Sequence, residues 1–196
     1  MRLAITGAYG SGKSTLAKAA AERFGLQAEA LPPMQDPFGS RKAATGCSPA
    51  QIVELVVRRL IERSARESGD LWVSDGSLVH DWVFAKTLLL HGVDPDAAPR
   101  PTIAGRGLVN GLLEPSRRAV RSSLHDRYDV VVHLPIEFAM TEPAPPVSES
   151  FRTRSEEYLA EELALAGLRP NTVTGSVEDR LEQIAALVAV PTATAA

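Results

Sequence analysis

Cysteine is nearly absent. Cys47 stands alone in 196 residues, so the chain has no disulfide framework and no cysteine-rich zinc site. Cys47 itself reads as an inert thiol near a loop. Aromatic residues make up only 5%, too few for the stacking platforms that single-stranded nucleic acids need. No apolar run approaches the roughly 20 residues of a membrane-spanning helix. Neither sign of charge dominates: the formal charge is −3, and the arginines are distributed rather than clustered. Composition therefore indicates no nucleic-acid footprint. The first residues lead straight into an apolar strand with no room for a signal peptide, so the expected setting is the cytoplasm. The length suits one α/β domain with a well-buried core.

The informative stretch is Gly7-Ala-Tyr-Gly-Ser-Gly-Lys13-Ser14-Thr15. It fits G-x-x-x-x-G-K-[ST], the Walker A phosphate loop. Glycines at 7, 10 and 12 allow a tight turn that brings backbone N–H groups onto phosphate oxygens. Tyr9 and Ser11 lie within the same cradle. Lys13 supplies a positive charge for the outer phosphates, and Ser14, beside Thr15, can complete the shell of a Mg²⁺. Context agrees with the motif. Arg2 to Thr6 reads as a buried strand, and Lys13 to Phe24 as a helix stopped by Gly25. The helix start aims its positive dipole end at the same anion.

Leu26 to Leu31 reads as a second strand, ended by Pro32-Pro33. The segment from Met34 to Gly46 carries Asp36, Arg41 and Lys42, and serves either as a substrate surface or as a solvated loop. Ser48-Pro49-Ala50-Gln51 announces a helix through a capping box and a proline at the first helical position. Ile52, Leu55, Val56 and Leu60 form its buried stripe, with Arg58, Arg59 and Arg63 expected outward. Leu71 to Asp75 is a short buried strand ending in an acid, the Walker B pattern. Asp75 there holds the metal's water shell or takes a proton from an incoming hydroxyl. The competing reading makes Asp75 or Ser77 the cap of the helix from Leu78 to His91. His80 and Asp81, adjacent in that helix, do not share a face and form no pair.

More helix is expected from Thr102 to Leu124, interrupted near Pro115, where Arg106, Asn110, Arg117, Arg118 and Arg121 bind substrate or face water. Tyr128 to Leu134 is a core strand, with His133 satisfied near its end. The proline-bearing segment that follows suggests a lid at about 141–154. Arg152 and Arg154 sit at the entrance of a helix expected from Ser155 to Gly167, with Thr153 and Glu156 as its cap. They either stabilise charge on a transferring phosphoryl group or pair with nearby glutamates. A last strand at Asn171 to Thr174 turns at Gly175 into a helix capped by Ser176 and Asp179. Residues 1–190 form one domain, and the tail beyond Pro191 is expected to fray.

The order of these pieces resembles the P-loop kinases, most closely the small bacterial AAA_28-type ATPase/kinase family, which is ribosylnicotinamide kinase-like. Asp75-Gly76-Ser77 stands where that family has an Asp-Arg-Ser-like triplet. Ser150-Phe151-Arg152 resembles its lid segment, and Ser176-Val-Glu-Asp-Arg180 its last helix start. The resemblance implies a five-stranded parallel sheet of order 2-3-1-4-5 in a three-layer sandwich, with ATP and Mg²⁺ as ligands and backbone near Gly175 at the adenine. Gly76 departs from the pattern by lacking the arginine that helps hold substrate. Arg41, Arg106 and Arg154 are the candidate replacements.

Together these readings describe an ATP·Mg-dependent phosphotransferase acting on a hydroxyl of a nucleoside- or ribosyl-like metabolite. Lys13, Asp75 and Arg152 carry the chemistry, Ser14 and Asp75 the metal, and Asp36, Arg41 and Arg154 the acceptor. The alternative is a regulatory ATPase or GTPase switch acting through a protein partner. The absence of an Asn-Lys-x-Asp guanine signature favours ATP without excluding GTP. A homodimer is left open.

Overall fold

The computed structural model describes residues 1–32, 43–97, 103–141 and 145–189. Leu3, Ala4 and Ile5 are wholly buried in strand β1 (Arg2–Gly7), so both of its faces need cover. A strand with that requirement belongs in the middle of a parallel sheet with helices on each side. The sheet has five parallel strands in the order β2-β3-β1-β4-β5, as expected. The other strands are β2 (Gln27–Glu29), β3 (Trp72–Asp75), β4 (Val130–Leu134) and β5 (Asn171–Thr172).

Helices α1 (Lys13–Phe24) and α7 (Val177–Ala189) cover one face, burying Leu16, Ala20 and Ile184 against Leu3, Ile5, Val73 and Val132. The other face carries α2 (Pro49–Arg66), α3 (Leu78–His91), α5 (Glu114–Arg127) and α6 (Glu149–Leu165). Trp72, Trp82, Leu124 and Phe151 dominate that layer, and each such side chain stabilises the fold by about 1.5–3 kcal/mol. Register places Asp75 directly beside Ile5, so β3 ends next to the loop that leaves β1. No described helix is long and apolar enough to cross a membrane.

Three local features differ from the sequence expectation. The chain from residue 103 to 127 does not break at Pro115. Helix α4 (Ile103–Leu108) passes through a π turn (Val109–Leu113) into α5, and the Glu114 N–H donates to Val109 O, five residues back. The wider turn falls just where proline cannot supply an N–H. Second, α6 starts at Glu149, not Ser155. Its cap is Ser148, whose Oγ accepts from Phe151 N at 3.1 Å, while the Thr153 hydroxyl donates to Glu149 O. The Phe151–Arg154 stretch therefore lies in the first turns of a helix. Third, Arg63 is buried and Arg59 nearly so, where an outward face was expected. The expected caps at Ser48 and Ser176 are both formed, each as a reciprocal pair, with Gln51 and Asp179.

The start of α6 is directly testable. Ser148→Ala should lower unfolding free energy by about 1 kcal/mol, as loss of an N-cap does. Thr153→Ala should cost under about half of that. Urea denaturation of both variants checks the ordering.

Candidate active site

The loop between β1 and α1 is shaped by glycines that nothing else could replace. Gly7 has φ +146°, and a Cβ there would lie 2.5 Å from Leu134 O on β4. Gly12, at φ +94°, is the residue before α1, and no side chain caps that helix. The first N–H groups of α1 are thus left for an anion. Lys13 Nζ donates to Ala8 O at 2.6 Å, holding the ammonium over the loop. Burial pushes Lys13 down to about 8, against the opposing pull of Asp75 and Glu156. Ser14 and Thr15 are exposed at the helix start.

Asp75 is not the helix cap. Ser77 takes that role, its Oγ accepting from His80 N at 3.2 Å. Asp75 instead accepts from Ser14 Oγ at 2.6 Å, joining the end of β3 to the start of α1. A hydroxyl and a carboxylate meeting beside a phosphate loop form a hard-oxygen donor set, which suits Mg²⁺. No group of three or more His, Cys, Asp or Glu among the described residues could hold a metal by itself.

Two arginines grip the loop from behind. Arg152, wholly buried, donates from Nε to Tyr9 O at 2.7 Å and from Nη1 to Phe138 O and Glu149 Oε2. Its Nη2 has no partner among the described residues. Arg180 of α7 donates to Ser11 O and pairs with Glu137, whose other oxygen accepts from Gly175 N at 3.2 Å. Gly10 faces Met140 across the same segment, 3.8 Å from where its Cβ would be. Ser11 is buried in the loop. Sequence reasoning missed Arg180 as a loop contact, although it closes the Ser-Val-Glu-Asp-Arg stretch.

Beside Lys13 opens a cleft of about 290 Å³ lined by Tyr9, Lys13, Ala43, Ala44, Thr45, Arg59, His80, Asp81, Phe84 and Pro146. Asp81 is fully buried and pairs with Arg59 (3.0 Å) and Arg63 (2.9 Å). Burial alone would raise its carboxyl, but the two guanidinium groups hold it below the ordinary range. His80 lies on the cleft wall, and burial followed by the charge on Lys13 keeps its pKa well below the usual value. His80 and Asp81 face different partners and form no pair, as expected.

Gly76 has φ +102°, and its Cβ position lies 3.2 Å from Arg63 Nη2 and 3.4 Å from the His80 ring. The space an arginine side chain would start from is therefore filled by Arg63 and His80. The inward placement of Arg59 and Arg63 differs from the expectation. With Ile52, Val56 and Glu67 they share one helical stripe, and charge alone argued them outward.

Among the proposed acceptor residues, Asp36 and Arg41 lie outside the described residues, as do Lys42 and the tail beyond Pro191. Arg154 is exposed and pairs with Glu157 at 2.6 Å. Arg106 lies on α4. Arg117 and Arg121 bind Glu162 on α6, so they neither bind substrate nor merely face water. His133 is satisfied, with Glu156 at 2.5 Å and Thr6 at 3.4 Å.

Gly76→Ala should lower stability by about 1–3 kcal/mol, through the left-handed backbone and the contacts with Arg63 and His80. Alanine at Gly69, where nothing lies within 4 Å, supplies the backbone-strain reference. A larger loss at Gly76 than at Gly69 in denaturant unfolding confirms the packing contribution.

No curated protein matches the sequence. Among solved structures, a deoxyadenosine kinase from M. mycoides with products dCMP and a flexible dCDP bound has a TM-score of 0.67 at 15% identity, covering 96% of this chain and 98% of its own. The same enzyme with bound dATP has a TM-score of 0.64 at 16% identity, covering 97% and 100%. The YorR protein from Bacillus subtilis, in complex with phosphorylated GDP, has a TM-score of 0.51 at 14% identity, covering 95% and 94%. At such identities these likenesses show the fold. A family model for an AAA domain matches residues 2–180, and the chain belongs to that family, AAA_28.

Proposed function

We propose that this protein is a nucleotide-dependent phosphotransferase that phosphorylates a hydroxyl of a nucleoside- or ribosyl-like acceptor. The observation that carries the reading is the Ser14–Asp75 hydrogen bond next to Lys13, which itself lines the cleft. The phosphate donor, ATP in this reading, lies on Gly7 to Thr15, with its base end near Gly175 and Phe138. Ser14 and Asp75 would hold Mg²⁺, which would supply charge neutralisation at the phosphates. Lys13 draws the outer phosphate toward the cleft, and Arg152, with Nη2 uncommitted, adds positive charge beside Tyr9. Arg152 also holds the loop itself, which is a positioning task.

The acceptor enters the cleft, where Tyr9, Phe84 and Pro146 offer apolar walls for a planar ring above a polar floor of Lys13 and Thr45. Asp75 orients the hydroxyl or takes its proton. The lid expected at about 141–154 lies partly outside the described residues; in this reading its described part at Pro146, beside the cleft, helps exclude water, since an open site would hydrolyse the donor. The likeness to nucleotide-bound kinase structures supports this reading at the level of fold.

Two outcomes are expected. ADP release from ATP·Mg should rise with one class in a panel of nucleosides, nucleotides and hydroxylated metabolites. In Lys13→Ala that stimulated rate should fall by about a hundredfold or more, with little change in melting temperature. Release that responds to no small acceptor, only to a protein, would replace the kinase by a regulatory NTPase.

Nucleotide binding should also depend on Lys13's proton. Phosphate raises the ammonium's pKa above its free value of about 8. Affinity is then level below pH 8 and falls as pH rises through it, by up to about tenfold per unit. Equilibrium binding between pH 7 and 9.5 should show that fall for the natural protein, and a flat profile for Lys13→Arg, whose charge persists.

A further inference from the structure

His80 is the titratable group of the cleft that the reaction above leaves without a definite task. It sits on the first turn of α3, where its backbone N–H is fixed by Ser77. Its ring packs over Gly76 and lines the cleft together with Lys13, Tyr9 and Phe84. Charged groups reach toward it from three elements: Lys13 from α1, Arg59 and Arg63 from α2, and Asp81 from α3 itself. Asp81 is committed to the two arginines, and Asp75 to Ser14. Among the described residues, no hydrogen bond or ion pair involves the His80 ring.

We propose that His80 is a specificity-determining residue whose ring hydrogen-bonds the acceptor in the cleft and orients the hydroxyl that faces Lys13. The inference rests on the kinase reading. Its physical basis is the cleft wall at Gly76, where Arg63 and the His80 ring meet. A glycine after Asp75 leaves no side chain of its own at this point, and Arg63, which reaches the same spot, is locked into Asp81, Glu67 and Ser74. The imidazole, with the Thr45 hydroxyl, is left on the wall to meet a ligand. Burial and the nearby cations keep it uncharged, so it can donate from one nitrogen and accept at the other. It therefore selects an acceptor by hydrogen bonding where an arginine would select by charge.

The test is steady-state kinetics at pH 7.5 with ATP·Mg and a panel of probes: deoxyadenosine, deoxyguanosine, deoxycytidine, thymidine and the four ribonucleosides. Wild type, His80→Leu and His80→Gln are compared, with urea unfolding to show that each is folded. For the best nucleoside, His80→Leu should raise the acceptor KM at least fivefold while the KM for ATP moves less than twofold. His80→Gln, which keeps a donor and an acceptor, should recover at least half of that loss on a logarithmic scale. A smaller rise in the leucine variant, equal losses in both variants, or a parallel rise in the ATP KM would make the ring a packing element and overturn the proposal, with the kinase reading intact. If no nucleoside stimulates wild-type ADP release or binds, the kinase reading and this inference fall together.

Discussion

The buried Arg63 guanidinium holds the site in register. It lies behind the cleft and joins Asp81 of α3, Glu67 beyond the end of α2, and Ser74 of β3, with a longer contact to the Asp75 carbonyl. Glu67 in turn takes the Ser74 and Tyr128 hydroxyls. Removing one member would strand charge in a dry interior, at a cost of about 3–5 kcal/mol for a buried pair. The network therefore fixes the end of β3, which carries Asp75, against the start of α3, which carries His80. Geometry at the cleft follows from a guanidinium that does not itself line it.

A second constraint acts on the phosphate loop. Three cations from three elements donate to its carbonyl oxygens: Lys13 to Ala8, Arg152 to Tyr9 and Arg180 to Ser11. The carbonyls turn toward the protein, which leaves backbone N–H groups for an anion. Burial draws Lys13 down to about 8, with a smaller push from the Arg152 charge. A bound phosphate reverses that balance, so the loop is built to be completed by an anion.

Much of this was legible in the sequence because local rules are strong where the backbone is special. The glycine pattern from Gly7 to Gly12, the capping boxes at Ser48 and Ser176, and the apolar strands led to the phosphate loop and its flanking elements, while the sheet order came with the family resemblance. What escaped was tertiary. Arg59 and Arg63 occupy a buried stripe because Asp81 waits across the interface on α3, and sequence spacing does not reveal a partner on another element. The start of α6 was misplaced because two capping serines or threonines compete there, and packing of Phe151 and Arg152 beneath the loop decides between Ser148 and Thr153. The arginine missing at position 76 was sought at Arg41, Arg106 and Arg154. The space is instead shared by Arg63 and His80, residues whose number in the chain gave no hint of their meeting.

The central claim is that the phosphoryl group leaves a nucleotide on the loop for a hydroxyl in the cleft, not for water. Phosphorus NMR of the reaction with ATP·Mg and the best nucleoside reports both products in one spectrum. The account predicts a new phosphate monoester resonance growing as the γ-phosphate signal declines, with inorganic phosphate a minor product. Inorganic phosphate alone, at a rate indifferent to the nucleoside, would contradict it.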